Sequence, residues 1–451
     1  MRSAVIDFPN LRQGVAAVRV PRGVLFHDAH RWQLFLVGGD QNPEKVFAWM
    51  KANALVDGAP IPKTTPRVSQ VFMVARDQAP EGGFTLLDEA RFTCSCCGAS
   101  CRSMNLGPLL PADVERLRGL DWTGTAHDPA NFFAERNGDP VEDQPDEPIA
   151  GRGDLFLRRE GDACQFLGPD QRCEVHSRFG ALAKPHMCRA FPIQLRAAPT
   201  GVVVGLRLDE CLEAEKALLG PKLDDDAEAL RYLWSELPKV QVLPPQIWLA
   251  EGVLVPWAEY EALEQRLLLQ GPVESHPGQA HGGGIAFLLR AVSAVLARAG
   301  RPMPQAAAPA DLIALRRWAL DLGSLASTDA AGSTPAAAAS QPLLPLARAT
   351  AAGLDDAAFR LEERIARILL FNKDALQHID LLRGLSQLVV KLWLMRERAL
   401  DKAGKEGVPR ATAAHLNRAA KEGAHDPLRD QIANHKLDPV ALAAAVAALA
   451  Q

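Results

Sequence analysis

The feature that most limits how this chain can fold is the placement of its thiols. All eight cysteines of the 451 residues fall between positions 94 and 211, and four of them crowd into the stretch RFTCSCCGASC at 91–101. Cys164, Cys173, Cys188 and Cys211 complete the set. The surrounding sequence is poor in apolar periodicity, and a run such as ERNGDPVEDQPDEPIAGRGD at 135–154 builds little core by itself. Something other than apolar burial must hold such a segment together, and a metal site can do so.

Cys94-Ser95-Cys96-Cys97-Gly98 contains a C-x-x-C pair followed by glycine, a tight turn that lets the sulfurs of Cys94 and Cys97 converge on one ion. Cys101 follows four residues on and can reach the same centre. Four protein ligands are usual for structural zinc and for a thiolate-held iron-sulfur cluster. The first group offers three, so at least one more must come from Cys164, Cys173, Cys188 or Cys211. Cys96, next to Cys97, has to point elsewhere. His176 and His186 lie close to Cys173 and Cys188 and are further candidates as ligands, as donors behind the ligands, or as surface residues.

Dense cysteines mean metal or redox chemistry more often than disulfides where thiols are kept reduced. The start, MRSAVIDFPNLRQG, interrupts its apolar stretch at Asp7 and Pro9, and no later run approaches the 18 or so apolar residues of a membrane span. The expected compartment is therefore the cytoplasm, with no membrane partner. A formal charge of −4, without a Lys/Arg-rich tract interleaved with aromatics, argues against nucleic acid as a partner.

The expected fold class is α+β, in three parts. Residues 1–89 read as a small α+β domain: AAVRV, GVLFHD and WQLFLVGG form an antiparallel meander, NPEKVFAWMKANAL a helix, and RVSQVFMVARD a further strand. Residues 90–220 are the loop-rich cysteine-cluster domain, with a short helix at PADVERLRGL opened by Pro111. Residues 221–451 are mostly helical. DDDAEALRYLWSELPKV starts on three acids, AFLLRAVSAVLARAG ends on Gly300, and FRLEERIARILLF and HIDLLRGLSQLVVKLWLMRERALDKAG carry apolar residues at three- and four-residue spacing. DPVALAAAVAALAQ starts a last helix at Asp438-Pro439, and the Ala/Ser/Pro-rich stretch 324–345 reads as a linker.

The succession C-x-x-C-G-x-x-C at 94–101, CQFLGPDQRCEVH at 164–176, PHMCRAFP at 185–192 and LDECLEAEKALL at 208–219 resembles the CxxCxxCC family of zinc- or iron-chelating domains, whose members include flagellin lysine N-methylases. Cys164-Gln165-Phe166-Leu167, Cys173 and Cys188-Arg189-Ala190-Phe191-Pro192 carry the likeness, which covers roughly positions 90 to 220. Ser100 stands where that pattern has a cysteine, and Cys96 is additional. The resemblance implies a metal centre among Cys94, Cys97, Cys101, Cys164, Cys173, Cys188 and Cys211. Four of these are expected to hold an iron-sulfur cluster of the 4Fe-4S kind, with zinc the alternative. Arg189 is the candidate cofactor-side residue, its guanidinium offsetting the charge of thiolate or sulfide. The resemblance also implies an S-adenosylmethionine-dependent protein-lysine methylase acting on flagellin or a similar protein. The contrasting reading is a non-enzymatic module stapled by its metal.

The sequence offers no independent sign of that cofactor. HGGGIAFLLR at 281–290 lacks a preceding strand and reads as a loop capping a helix, and the C-x-x-x-C-x-x-C spacing of radical chemistry fails at Met104.

Overall fold

The computed structural model describes the strands at 16–20, 23–27, 32–36 and 72–75, and residues 83–317, 320 and 353–448 apart from 88–89, 104–105, 136–154, 208–212, 238, 245, 251, 270–282, 308–309, 379 and 425–436. Cys211, the NPEKVFAWMKANAL helix and the 324–345 linker lie outside the described residues. Helix and sheet are mixed, as expected for an α+β chain.

The chain divides into two compact units. One comprises 1–85, 195–203 and 239–451; the other comprises 86–194 and 204–238. The cysteine unit thus begins near the expected position 90 and extends past 220, taking in the Ala227–Glu236 helix that periodicity alone had grouped with the C-terminal half.

In the first unit, the strands Ala16–Val20, Gly23–His27 and Trp32–Leu36 pair antiparallel in sequence order, which is the meander read from the alternating apolar runs. A five-stranded sheet has the order Phe72–Ala75, Lys239–Val242, Ile193–Ala198, Gly201–Leu206, Phe84–Leu86. The boundaries between the units fall within its third, fourth and fifth strands. Residues 193–206 were expected to be loop-rich. The β-branched run Val202-Val203-Val204 is buried instead, after the turn residues Pro199-Thr200. The region after 220 likewise contains strands, including the hairpin Gln246–Ala250 with Val253–Pro256.

The helices follow the expected spans. Asp355 caps Asp356–Phe371 by accepting from the Ala358 N–H at 2.7 Å, and Asp380 caps Leu381–Lys405 by accepting from the Arg383 N–H at 2.8 Å. Asp438 does the same before Pro439–Ala448 through the Val440 N–H. The long Leu381–Lys405 helix is central, packed by Gly283–Arg298, Ala413–Ala424 and Pro439–Ala448, with Leu385, Val389, Val390, Leu392 and Trp393 all buried.

Two glycine-bearing motifs have packing explanations here. A side chain on Gly284 would meet the Glu362 carbonyl oxygen at 2.4 Å, and the Gly284 N–H donates to the Glu362 carboxylate at 3.1 Å. Gly283 and Gly284 therefore let the Gly283–Arg298 helix start directly on the Asp356–Phe371 helix. Glu362 in turn receives both prongs of the fully buried Arg396 guanidinium, at 2.9 and 2.6 Å. Gly384, in Gly384-Leu385-Ser386, sits against the Ala375 backbone, whose carbonyl oxygen would lie 1.9 Å from any Cβ.

Candidate metal centre

The cysteine unit fixes the chain just before its first thiols. The Phe92 N–H donates to the Pro221 carbonyl at 3.1 Å and the Thr93 N–H to that of Ala217 at 2.8 Å, while Gly220 has no room for a side chain against the Phe92 backbone. The loop then turns through two left-handed residues, Cys96 at φ 55 and Gly98 at φ 65. A Cβ on Gly98 would fall 2.5 Å from Gln171 Oε1 and 2.6 Å from Arg102 Nη1, and these two atoms are themselves hydrogen-bonded at 2.6 Å. Beyond this turn the short helix Ala99–Ser103 carries Cys101.

The next two thiols belong to one compact loop. Cys164 ends a two-residue strand paired with Arg159–Glu160, and Leu167 bridges back to Cys173, closing the intervening GPDQR turn with the Gly168 N–H on the Arg172 carbonyl at 2.8 Å. Cys173 starts the helix Glu174–Phe179. Cys188 lies in the helix His186–Ala190.

These segments meet at one apolar cluster. Cys164 is part of it, together with Leu106, Leu117, Trp122, Phe132, Phe166 and their neighbours, and Cys101, Cys173 and Cys188 pack against it. Trp122 stacks on Phe166 with ring centroids 5.3 Å apart and meets Phe132 and Phe179 edge-on, so the wall behind the sulfurs is aromatic. Cys94 and Cys96 are exposed, and Cys97 is half-buried.

The thiols also perturb one another's titration. Burial, followed by the charge of Cys173, pushes the Cys101 thiol up to about 11, and the nearby Lys184 opposes the shift. Burial also pushes Cys188 up to about 12, with Lys184 opposing and Cys173 and Cys101 adding to it. Cys164 is raised well above the ordinary thiol value, first by burial, although a backbone hydrogen bond from Phe166 favours its thiolate. Burial and then Cys94 raise Cys96. The buried sulfurs are thus thiols at neutral pH, and a metal ion would have to displace their protons.

Arg189 has a different set of contacts from the one expected. Its guanidinium pairs with Glu236, donates to the carbonyls of Leu182, at 2.8 Å, and Lys184, and lies over the Tyr232 ring. The cation acting on the sulfurs of Cys101 and Cys188 is Lys184, which precedes Pro185-His186-Met187-Cys188. Asp113, 1% exposed, was also missed. It accepts from the Leu110 N–H at 3.2 Å, the His186 N–H at 2.9 Å and Arg116 at 2.9 Å, and the His186 Nδ1 donates to it at 2.5 Å. The sequence signal was available: Asp113 is the third residue of a Pro-initiated helix, a position from which a carboxylate reaches back to the helix start. His186 is therefore turned to Asp113. Burial, then Lys184, lowers His176.

Among the described residues, no three His, Cys, Asp or Glu side chains stand as they are in an arrangement that would hold a metal ion. The donor set is nevertheless chemically suitable, since Cys101, Cys164, Cys173 and Cys188 are soft ligands gathered at one cluster, with an N–H already aimed at one sulfur. Ligation would require the sulfurs to turn toward a common centre. Comparison with protein-family models, with curated proteins and with solved structures finds no match for the chain.

Proposed function

We propose that the cysteine unit is a metal-binding module whose ligands are Cys101, Cys164, Cys173 and Cys188. The observation that carries this reading is that these four thiols, drawn from three separate stretches of chain, border one apolar cluster and act on one another electrostatically. Bound there, zinc supplies folding energy and an iron-sulfur cluster adds a one-electron couple. The chain's own residues contribute the remaining features: the aromatic wall excludes water, Lys184 offsets thiolate charge, and the Asp113–His186 contact fixes the start of the helix bearing Cys188.

The test is anaerobic purification with metal and acid-labile sulfide analysis. Iron with matching sulfide, or one equivalent of zinc without it, supports the module, and C164S and C188S should each abolish retention. A metal-free protein, or full retention in both variants, refutes the ligand set. The lysine methylase reading rests on the motif at Cys164–Leu167 and Cys188–Pro192. A thermal shift with S-adenosylmethionine and methyl transfer to flagellin would support it, and silence in both with metal bound would exclude it.

A further inference from the structure

Two thiols of the unit stand outside that ligand set and beside each other. Cys94 and Cys96 are both exposed and neither is in a disulfide. The Cys96 thiol donates to the Cys94 carbonyl oxygen, with its sulfur 3.9 Å away, so the sulfur lies folded back over Cys94. Residues two apart span at most about 7 Å even when fully extended. That bound lies just above the roughly 4.4–6.8 Å between Cα atoms over which a disulfide closes, so the spacing of the pair permits one.

The backbone adds a second observation. Cys96 holds a left-handed conformation at φ 55, which glycine adopts freely and which costs another residue about 1–2 kcal/mol. The position tolerates that cost, and what it gains over glycine is a sulfur next to Cys94.

We propose that Cys94 and Cys96 are a modification site, a dithiol that closes to a disulfide by exchange with a low-molecular-weight disulfide. The Cys94 thiolate attacks one sulfur of the small disulfide, whose S–S bond breaks, and the first small thiol leaves with the Cys94 proton. Cys96 then attacks the Cys94 sulfur, and the second small thiol leaves with the Cys96 proton. The protein pair is oxidised by two electrons and the small disulfide is reduced by two. Neither sulfur is among the four proposed as ligands, so failure of this pair leaves the metal analysis to be judged separately.

The test uses the full-length protein as purified under argon, exposed to oxidised glutathione, alkylated and digested with trypsin. The peptide 92–102, between Arg91 and Arg102, contains Cys94, Cys96, Cys97 and Cys101. The expected product carries alkyl groups on Cys97 and Cys101 only and is about 2 Da lighter than its reduced counterpart at the remaining two, as loss of two hydrogens requires. C96S should stop at a glutathione adduct on Cys94, and C97S should leave the yield unchanged. A disulfide that includes Cys97 or Cys101, four alkylated thiols after exposure, or an unchanged peptide oxidation state in C96S would each overturn the proposal.

Discussion

Replacing Asp113 by asparagine is the most informative single change in the cysteine unit. The carboxylate is buried and distributes four contacts over two oxygens: Oδ1 takes Arg116 and the His186 N–H, and Oδ2 takes the Leu110 N–H and the His186 ring. An asparagine retains one acceptor oxygen. Whichever way its amide is turned, an NH₂ group faces at least one backbone N–H, either that of Leu110 or that of His186. An orphaned buried N–H costs about 1–3 kcal/mol, and the surviving bonds fall from charge-assisted to neutral strength, a further loss of about 1 kcal/mol each. The expected total is about 3–5 kcal/mol, a large share of a typical domain's 5–15 kcal/mol. The assay is urea unfolding followed by Trp122 fluorescence in a variant background lacking the other tryptophans. Burial by itself would raise the Asp113 carboxyl, but donation from His186 and Leu110 more than offsets this and holds it below the ordinary 3.8. Because the folded value is depressed, the stabilisation is present above about pH 4 and fades as pH falls through the folded value, so the gap between wild type and D113N should narrow on acidification. A loss under about 1 kcal/mol at pH 7, or a gap independent of pH, would refute the reasoning, since each bond is counted at roughly that size.

Three further outcomes concern the other unit. Burial raises Glu397 to about 7 against the opposing Arg316. A raised folded value means that stability falls as pH climbs from about 4.5 to about 7, by up to roughly 3 kcal/mol, and E397Q should lack this slope in pH-dependent melts compared with wild type. In the Leu381–Lys405 helix, G384A drives a methyl into the Ala375 carbonyl and should cost about 3 kcal/mol, whereas G404A, with nothing within 4 Å, should be neutral or add up to about 1 kcal/mol in denaturant titration. E362Q leaves Arg396 buried without its full countercharge and should lower the unfolding midpoint by about 3–5 kcal/mol equivalent, and retention of wild-type stability would show that the pair is replaceable.

The parts of the fold legible in the sequence were those with local causes. Asp355, Asp380 and Asp438 each accept from an N–H in the first turn of the helix they precede, and the apolar spacing beyond them decides which face is buried. The meander was equally plain in its alternating runs. The sheet strands at 193–206 and 239–242 were harder, because one of their ladders is a parallel pairing between Arg196-Ala197 and Gln241-Val242, distant in sequence, and each run alone is too short to announce itself. At the candidate site, residue type and spacing singled out the cysteines, and packing on the apolar cluster then distinguished Cys101, Cys164, Cys173 and Cys188 from the half-buried Cys97 and the exposed Cys94 and Cys96. Packing of that kind depends on where Trp122, Phe132 and Phe166 fold, which no spacing among cysteines encodes. The choice of Lys184 over Arg189 as the cation beside the sulfurs was hidden for a similar reason: Glu236, 47 residues from Arg189, takes the arginine.

The same comparison explains why a cross-link would matter more to one unit than to the other. The unit with the central Leu381–Lys405 helix closes its own hydrogen bonds over 25 residues and buries an apolar residue at almost every turn. In the cysteine unit the strands at Phe133–Ala134, Phe156–Leu157, Arg159–Glu160 and Ala163–Cys164 are two residues each, and two-stranded pieces are marginal in isolation. Its aromatic cluster is assembled from segments that lack secondary structure of useful length to bring them together. Tying Cys101 to Cys164 closes a loop of about 60 residues, and the entropy removed from the unfolded chain by one such closure is about 4 kcal/mol. That is comparable to the whole stability of a small domain, so four ligands from three short stretches would provide the constraint that these elements are too short to provide for themselves.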